Sequence, residues 1–129
     1  MKSTKSLILT YKGKVLLFSH ENLLQAEKDE WDFLRMGTLN KTKISDFLQK
    51  EINLPAKITD ANLVNLSIGT NEDSELFHFR LTDDNVNCIK RKSGWRIEFY
   101  RLEELDKVAL SFETRSLYQK YKDQISQLV

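Results

Sequence analysis

Two apolar periods run through one chain, and together they restrict its fold more than any other feature. Between Gly94 and Leu102, Trp95, Ile97 and Phe99 alternate with Arg96 and Glu98. That period of two sets one side of a strand against a core. Between Thr42 and Asn53, Ile44, Phe47, Leu48 and Ile52 recur at helical spacing and make one apolar face. Pro55 biases Leu54 away from helical angles and ends that helix. A chain that carries both periods must lay helices on a sheet.

The remaining segments extend this pattern. Ser6 to Tyr11 and Lys14 to His20 are β-favouring runs joined by Lys12-Gly13, and Gly13 supplies the positive φ of a tight hairpin turn. Asn22 to Glu30 is polar and reads as a loop or a frayed helical turn. Trp31 to Met36 reads as a short strand ended by Gly37. Asn62 to Thr70 and Glu75 to Thr82 read as two strands around a turn-rich stretch, Gly69 to Ser74. Ser111 suits the cap of a final helix, with Glu113 in its first turn and Leu117, Tyr118, Tyr121, Ile125 and Leu128 as its buried stripe. The order suggests an α+β fold or, as an α/β fold, an α/β/α sandwich with a mixed sheet. No repeat or linker interrupts it, so 1–129 is read as a single domain.

Composition narrows the function classes. Lys and Arg number 20 against 19 Asp and Glu, a formal net charge of +1, which steers the whole molecule toward neither nucleic acid nor an anionic membrane. Cys88 is the single cysteine, which excludes an intrachain disulfide and argues against a cysteine zinc site. The apolar run Leu7-Ile8-Leu9 is too short for a signal peptide or a membrane span, and the expected location is cytoplasmic.

Three stretches, in this order, resemble the Nudix hydrolase superfamily. Leu7 to Phe18 is similar to the opening hairpin of that fold. Trp31-Asp32-Phe33-Leu34-Arg35-Met36-Gly37 resembles the tryptophan strand that runs into its glycine turn. Trp95 to Leu105, with Ile97-Glu98-Phe99-Tyr100-Arg101-Leu102 before Glu103-Glu104-Leu105, resembles its last strand and the acidic turn ahead of the C-terminal helix. The resemblance implies a Nudix-like α/β/α sandwich. It also implies cleavage of a nucleoside diphosphate joined to another group, with Mg²⁺ or Mn²⁺ held by glutamates on one helix face.

The acidic box of that family is where the chain departs. The box ends in Arg-Glu-apolar-any-Glu-Glu-any-Gly-apolar. Aligned from Asp46, its three glutamate positions fall on Phe47, Lys50 and Glu51, its glycine on Asn53 and its last apolar site on Leu54. The loop from Gly37 to this helix is shorter than the family's, and Thr38 to Lys43 contains no acid. Positions i, i+3 and i+4 share a helix face, so three carboxylates there can hold hard cations beside phosphates. A benzyl group cannot ligate a metal, and an ammonium repels one.

Glu98 corresponds to a further glutamate that joins the metal in some members of the family. Glu51 and Glu98 are therefore the candidate catalytic pair and, in an active enzyme, the candidate metal ligands. Lys50, Arg35 and Arg96 are the candidate ligand-binding cations, lysine acting on phosphate as a point charge. The leading expectation is a Nudix fold with a degenerate metal box. Such a domain binds a nucleoside-diphosphate-like or phosphorylated small molecule, a nucleotide-like ligand, or a protein partner, with weak or absent hydrolysis. Two alternatives stand beside it. One is an active Mg²⁺- or Mn²⁺-dependent hydrolase of nucleoside diphosphate derivatives. The other is a homodimeric interaction module whose old pocket Phe47 closes.

Other residues carry weaker signals. Lys90-Arg91-Lys92 beside Trp95 reads as a charged turn rather than a base-stacking surface. His20 and His78 lack ligand spacing to each other, and His78 faces away from Phe77 and Phe79. Asp83-Asp84 and Glu72-Asp73 read as solvated turn residues without calcium-loop spacing.

Overall fold

Gly13 (φ 79°) and Lys12 (φ 47°) make the left-handed turn that folds the first two strands, β1 (Thr4–Tyr11) and β2 (Lys14–His20), into a hairpin. Their register is Leu9 to Leu16, Thr10 to Val15 and Tyr11 to Lys14. The computed structural model describes residues 4–20, 30–37, 43–55, 57–59, 62–67, 74–90 and 95–129. The further elements are β3 (Leu34–Gly37), α1 (Ile44–Ile52), β4 (Val64–Asn65), β5 (Ser74–Arg80), α2 (Asp83–Cys88), β6 (Trp95–Arg101) and α3 (Phe112–Leu128). A 3₁₀ segment, Leu102–Asp106, lies between β6 and α3.

The six described strands form one mixed sheet, five of them in the order β4-β5-β1-β2-β6 and β3 off that path beside β1. β1 runs parallel to β5 and antiparallel to β2. β3 also pairs with β1, through Lys5 with Gly37, Ser6 with Arg35 and Leu7 with Leu34. Thus β2 and β3 divide one edge of β1 between them: β2 takes its second half and β3 its first.

Leu7, Ile8, Leu9 and Thr10 of β1 are each at most 2% exposed, as a strand covered on both faces requires. Alternate residues feed two cores. Leu7, Leu9, Leu16, Phe18, Phe77 and Phe79 pack with Ile44, Leu48 and Ile52 of α1. Ile8, Val15, Leu17 and Leu76 pack on the other face with Tyr118, Tyr121 and Ile125 of α3. The α/β/α sandwich is thereby present, with Trp95, Ile97 and Phe99 on the α1 face and Tyr100 on the α3 face.

Where α1 stops, Asn53 adopts a left-handed conformation (φ 55°), and the N–H groups of Asn53 and Leu54 return to the carbonyls of Gln49 and Leu48 at 3.1 and 3.2 Å. This is a C-terminal cap in which asparagine replaces the usual glycine. Lys90 N–H donates to Ile52 C=O at 2.9 Å and Asn53 Nδ2 to Cys88 C=O at 3.0 Å, which fixes the end of α1 against the end of α2.

Three elements differ from the sequence expectation. Asp83 and Asp84 belong to a helix and not to a turn. Thr82 caps it by accepting from Asn85 N–H at 3.2 Å while its own N–H donates to Asn85 Oδ1 at 3.0 Å, and both acids sit in the first turn where the helix dipole favours them. The strand expected over Asn62–Thr70 contracts to Val64–Asn65 among the described residues. The tryptophan strand pairs continuously only from Leu34, with Trp31 and Asp32 held by single bridges to Leu110 and Phe18. Glu72, Asp73, Arg91 and Lys92, and all of the expected Asn22–Glu30 loop except Glu30, lie outside the described residues. No helix among the described residues is long and apolar enough to cross a membrane.

Candidate functional site

On the α1 face of the sheet, β2 and β6 floor a cleft. Its narrow end is a slot of about 20 Å³ lined by Phe18, Leu34, Glu51, Ile52, Trp95 and Ile97. Past Ile97 it widens into an open trough of about 260 Å³ lined by Leu16, Val86, Ile89, Ile97 and Phe99. The strand period produces the floor, since Trp95, Ile97 and Phe99 all face this way. The short helix α2 and the residue after it supply the far wall. At the rim the Tyr11 ring lies 5.9 Å from Phe99, tilted by 49°, and its hydroxyl donates to Asp83 Oδ1 at 2.5 Å. Lys12 Nζ stands 3.4 Å from the same oxygen. The Tyr11 hydroxyl and then the Lys12 ammonium hold the Asp83 carboxyl below its ordinary range.

Only part of the expected site gathers here. Glu51 is half-buried at the slot and Lys50 is exposed on the same last turn of α1, where a cation also complements the helix dipole. Phe47 packs against the α1-face core. Glu98 is elsewhere. It pairs in register with Leu17, whose side chain lies in the α3-face core, and accepts a 3.4 Å hydrogen bond from Tyr100 Oη on that face. Glu51 and Glu98 thus stand on opposite sides of the sheet, and the structure does not bring them together.

The candidate cations divide in the same way. Arg35 lies between the buried Leu34 and Met36, which face α1, and turns to the other side. There its guanidinium reaches Asp32 at 2.9 Å, Ser111 Oγ at 3.1 Å and Glu113 at 3.3 Å. Arg96 sits 5.4 Å from the Trp31 ring centroid, and Trp31 meets Tyr100 edge-on at 5.3 Å. Lys50 is the one of the three cations on the α1 side.

Asp32 organises the α3 side. Its Oδ1 accepts from Arg35 Nη2, from Ser111 Oγ and, at 2.7 Å, from Thr114 Oγ1. Ser111 is the N-cap of α3, as its sequence position suggests, accepting from Thr114 N–H at 3.3 Å. Trp31 N–H donates to Ala109 C=O at 2.8 Å and Ser111 N–H to Trp31 C=O at 3.1 Å. The group holds the segment before β3 to the start of α3. Sequence reasoning found the cap and missed its acceptor.

His78 is 4% exposed and bonds Thr10 through Nε2 at 2.6 Å; burial first, and the Arg80 charge second, push its pKa down to about 4. Cys88 is a half-buried free thiol. Among the described residues no three His, Cys, Asp or Glu side chains come close enough to hold a metal ion. The described donors therefore do not fit the divalent-metal site that the family resemblance implies.

No sequence-family profile matches the chain, and no curated protein matches it by sequence. Solved structures do. The MutT protein of Methanosarcina mazei Go1 superposes with a TM-score of 0.59 at 16% identity, over 94% of this chain and 92% of that one. The Nudix domain of Shewanella oneidensis NrtR, solved in complex with ADP ribose, gives 0.58 at 12% identity, over 95% and 86%. The C-terminal domain of mouse MUTYH, solved in complex with human PCNA, gives 0.58 at 14% identity, over 96% and 89%. The fold is Nudix-like.

Proposed function

We propose that this chain is a binding domain on a Nudix-like fold. It holds a nucleoside-diphosphate-like or otherwise phosphorylated ligand in the cleft between α1, β2 and β6, with weak or absent hydrolysis. One observation carries the reading. The cleft is open on the α1 face, Glu51 is the one acid among the described residues that line it, and the described residues gather no trio of metal-binding side chains. Phosphoryl chemistry on this fold needs divalent cations to neutralise charge and activate water, and a lone carboxylate is a weak Mg²⁺ ligand set. Lys50 would meet the phosphate as a point charge. The ADP ribose bound to the NrtR domain supports a nucleotide-like ligand on a similar fold. Arg35, Arg96 and Glu98 have no part in this reading, since they serve the other face.

The test is release of phosphate or nucleotide from a panel of nucleoside diphosphate derivatives with Mg²⁺ or Mn²⁺, comparing the wild type with Glu51→Gln. No metal-dependent turnover, together with ligand-induced thermal shifts weakened by Lys50→Ala, is the expected result. Turnover abolished by Glu51→Gln would overturn the binding reading and make the chain a metal-dependent hydrolase.

A further inference from the structure

Resting on the cleft as the ligand site, we infer that the body of the ligand held there is a hydrocarbon chain and not a nucleobase. The five side chains of the trough, Leu16, Val86, Ile89, Ile97 and Phe99, carry no hydrogen-bond donor or acceptor. Phe18, Leu34 and Ile52 continue the same lining into the slot, where Trp95 adds a flat wall. Among the described residues that line slot and trough, Glu51 is the one ionisable side chain, and it sits at the narrow end.

The nearest polar groups at the wide end are already spent on each other. The Tyr11 hydroxyl, whose ring packs on Phe99, donates to Asp83, and Lys12 pairs with the same carboxylate. Among the described residues along the trough, a nucleobase enclosed here would find no side-chain partner for its ring nitrogens and exocyclic groups. Each such group left dry weakens binding by roughly ten- to a hundredfold.

Shape points the same way. Trp95, Ile97 and Phe99 succeed one another on one face of an extended strand, so the floor from the first to the last runs for about 13 Å. The slot, too small to admit a chain, adjoins the trough at Ile97, and the open trough of about 260 Å³ offers its apolar lining as an elongated groove along that strand. A flexible chain fills such a groove by burying methylenes along its length.

The experiment is calorimetric titration of the full chain with n-butyl, n-hexyl, n-octyl and n-decyl monophosphate below micelle formation. ADP, ADP-ribose and 1-octanol are titrated alongside. Binding is expected to tighten roughly fourfold with each added methylene until the groove is filled. Ile89→Asp and Ile97→Asn should each cancel the gain with length. Ile89 is only half-buried, so its variant keeps the test valid if Ile97→Asn fails to fold.

A flat length series with ADP or ADP-ribose bound more tightly overturns the hydrocarbon inference and leaves the phosphorylated-ligand reading standing. Octanol binding as well as octyl phosphate supports the inference and removes the phosphate anchor. Failure of every compound to bind overturns both.

Discussion

Thr10 Oγ1 and His78 Nε2 lie 2.6 Å apart between β1 and β5, each side chain almost fully buried. The pair makes folding sensitive to acid. The folded pKa of His78, about 4, is below its ordinary 6.5, so the unfolded chain takes up a proton that the folded chain refuses. The neutral imidazole therefore penalises nothing above pH 6.5, and stability falls as pH drops from 6.5 toward 4, by up to about 1.4 kcal/mol per pH unit. Thermal melts across that window should show a steeper loss for the wild type than for His78→Gln. Parallel profiles would exclude His78 as the source.

Asp32 is the shared acceptor of three donors; removing it leaves the Ser111 and Thr114 hydroxyls without their acceptor, while Arg35 keeps Ser111 Oγ and Glu113. Asp32→Ala should destabilise the chain by about 2–3 kcal/mol in urea unfolding. Arg35→Ala should cost less than about 1 kcal/mol, since the arginine side chain is 48% exposed and its ion pairs are screened. Equal costs would mean that the Arg35 charge, and not the Ser111 and Thr114 hydroxyls, holds the group together.

Asn53 occupies left-handed backbone at the end of α1 and also bonds Cys88 C=O. Asn53→Ala loses the bond and adds backbone strain, whereas Asn53→Gly loses the bond alone. The alanine variant should be about 1 kcal/mol less stable than the glycine variant. An alanine variant as stable as glycine would show that the cap geometry relaxes at no cost.

Thr82 starts α2, whose Val86 forms part of the trough wall. Thr82→Ala removes the cap of a six-residue helix with little packing of its own and should cost about 1 kcal/mol. Hydrogen exchange at Val86 and Cys88 should rise more than at Leu48 in α1. Uniform change across the chain would place the effect outside α2.

The elements with a sustained period were legible in the sequence. The alternation of β6, the apolar stripe of α1, the Lys12-Gly13 turn and the Ser111 cap all stand where their residues put them. α2 was hidden because Asp83–Cys88 makes fewer than two turns, too few to display a helical period. Asp32 was hidden because its partner Ser111 lies 79 residues away, and only the folded chain joins them.

The failure of Glu51 to meet Glu98 has a different origin. The parity of β6 already sets Glu98 opposite Ile97, but no local pattern says which face each helix will cover. The same long-range choice brings Val86 and Ile89 over Phe99 and so creates the trough, which no single stretch announces.

The divided edge of β1 also sets an order of assembly. The β1–β2 hairpin closes through a turn of Lys12 and Gly13, an event of microseconds. Pairing β1 with β5 must bring Thr4 to Ser74, which are 70 residues apart, before any of its ladder is gained. Until then a strand whose Leu7, Ile8 and Leu9 are fully buried in the folded chain shows one bare flank. The rate of productive folding, and the tendency of the nascent chain to stick to its neighbours, are therefore governed by how quickly β5 arrives.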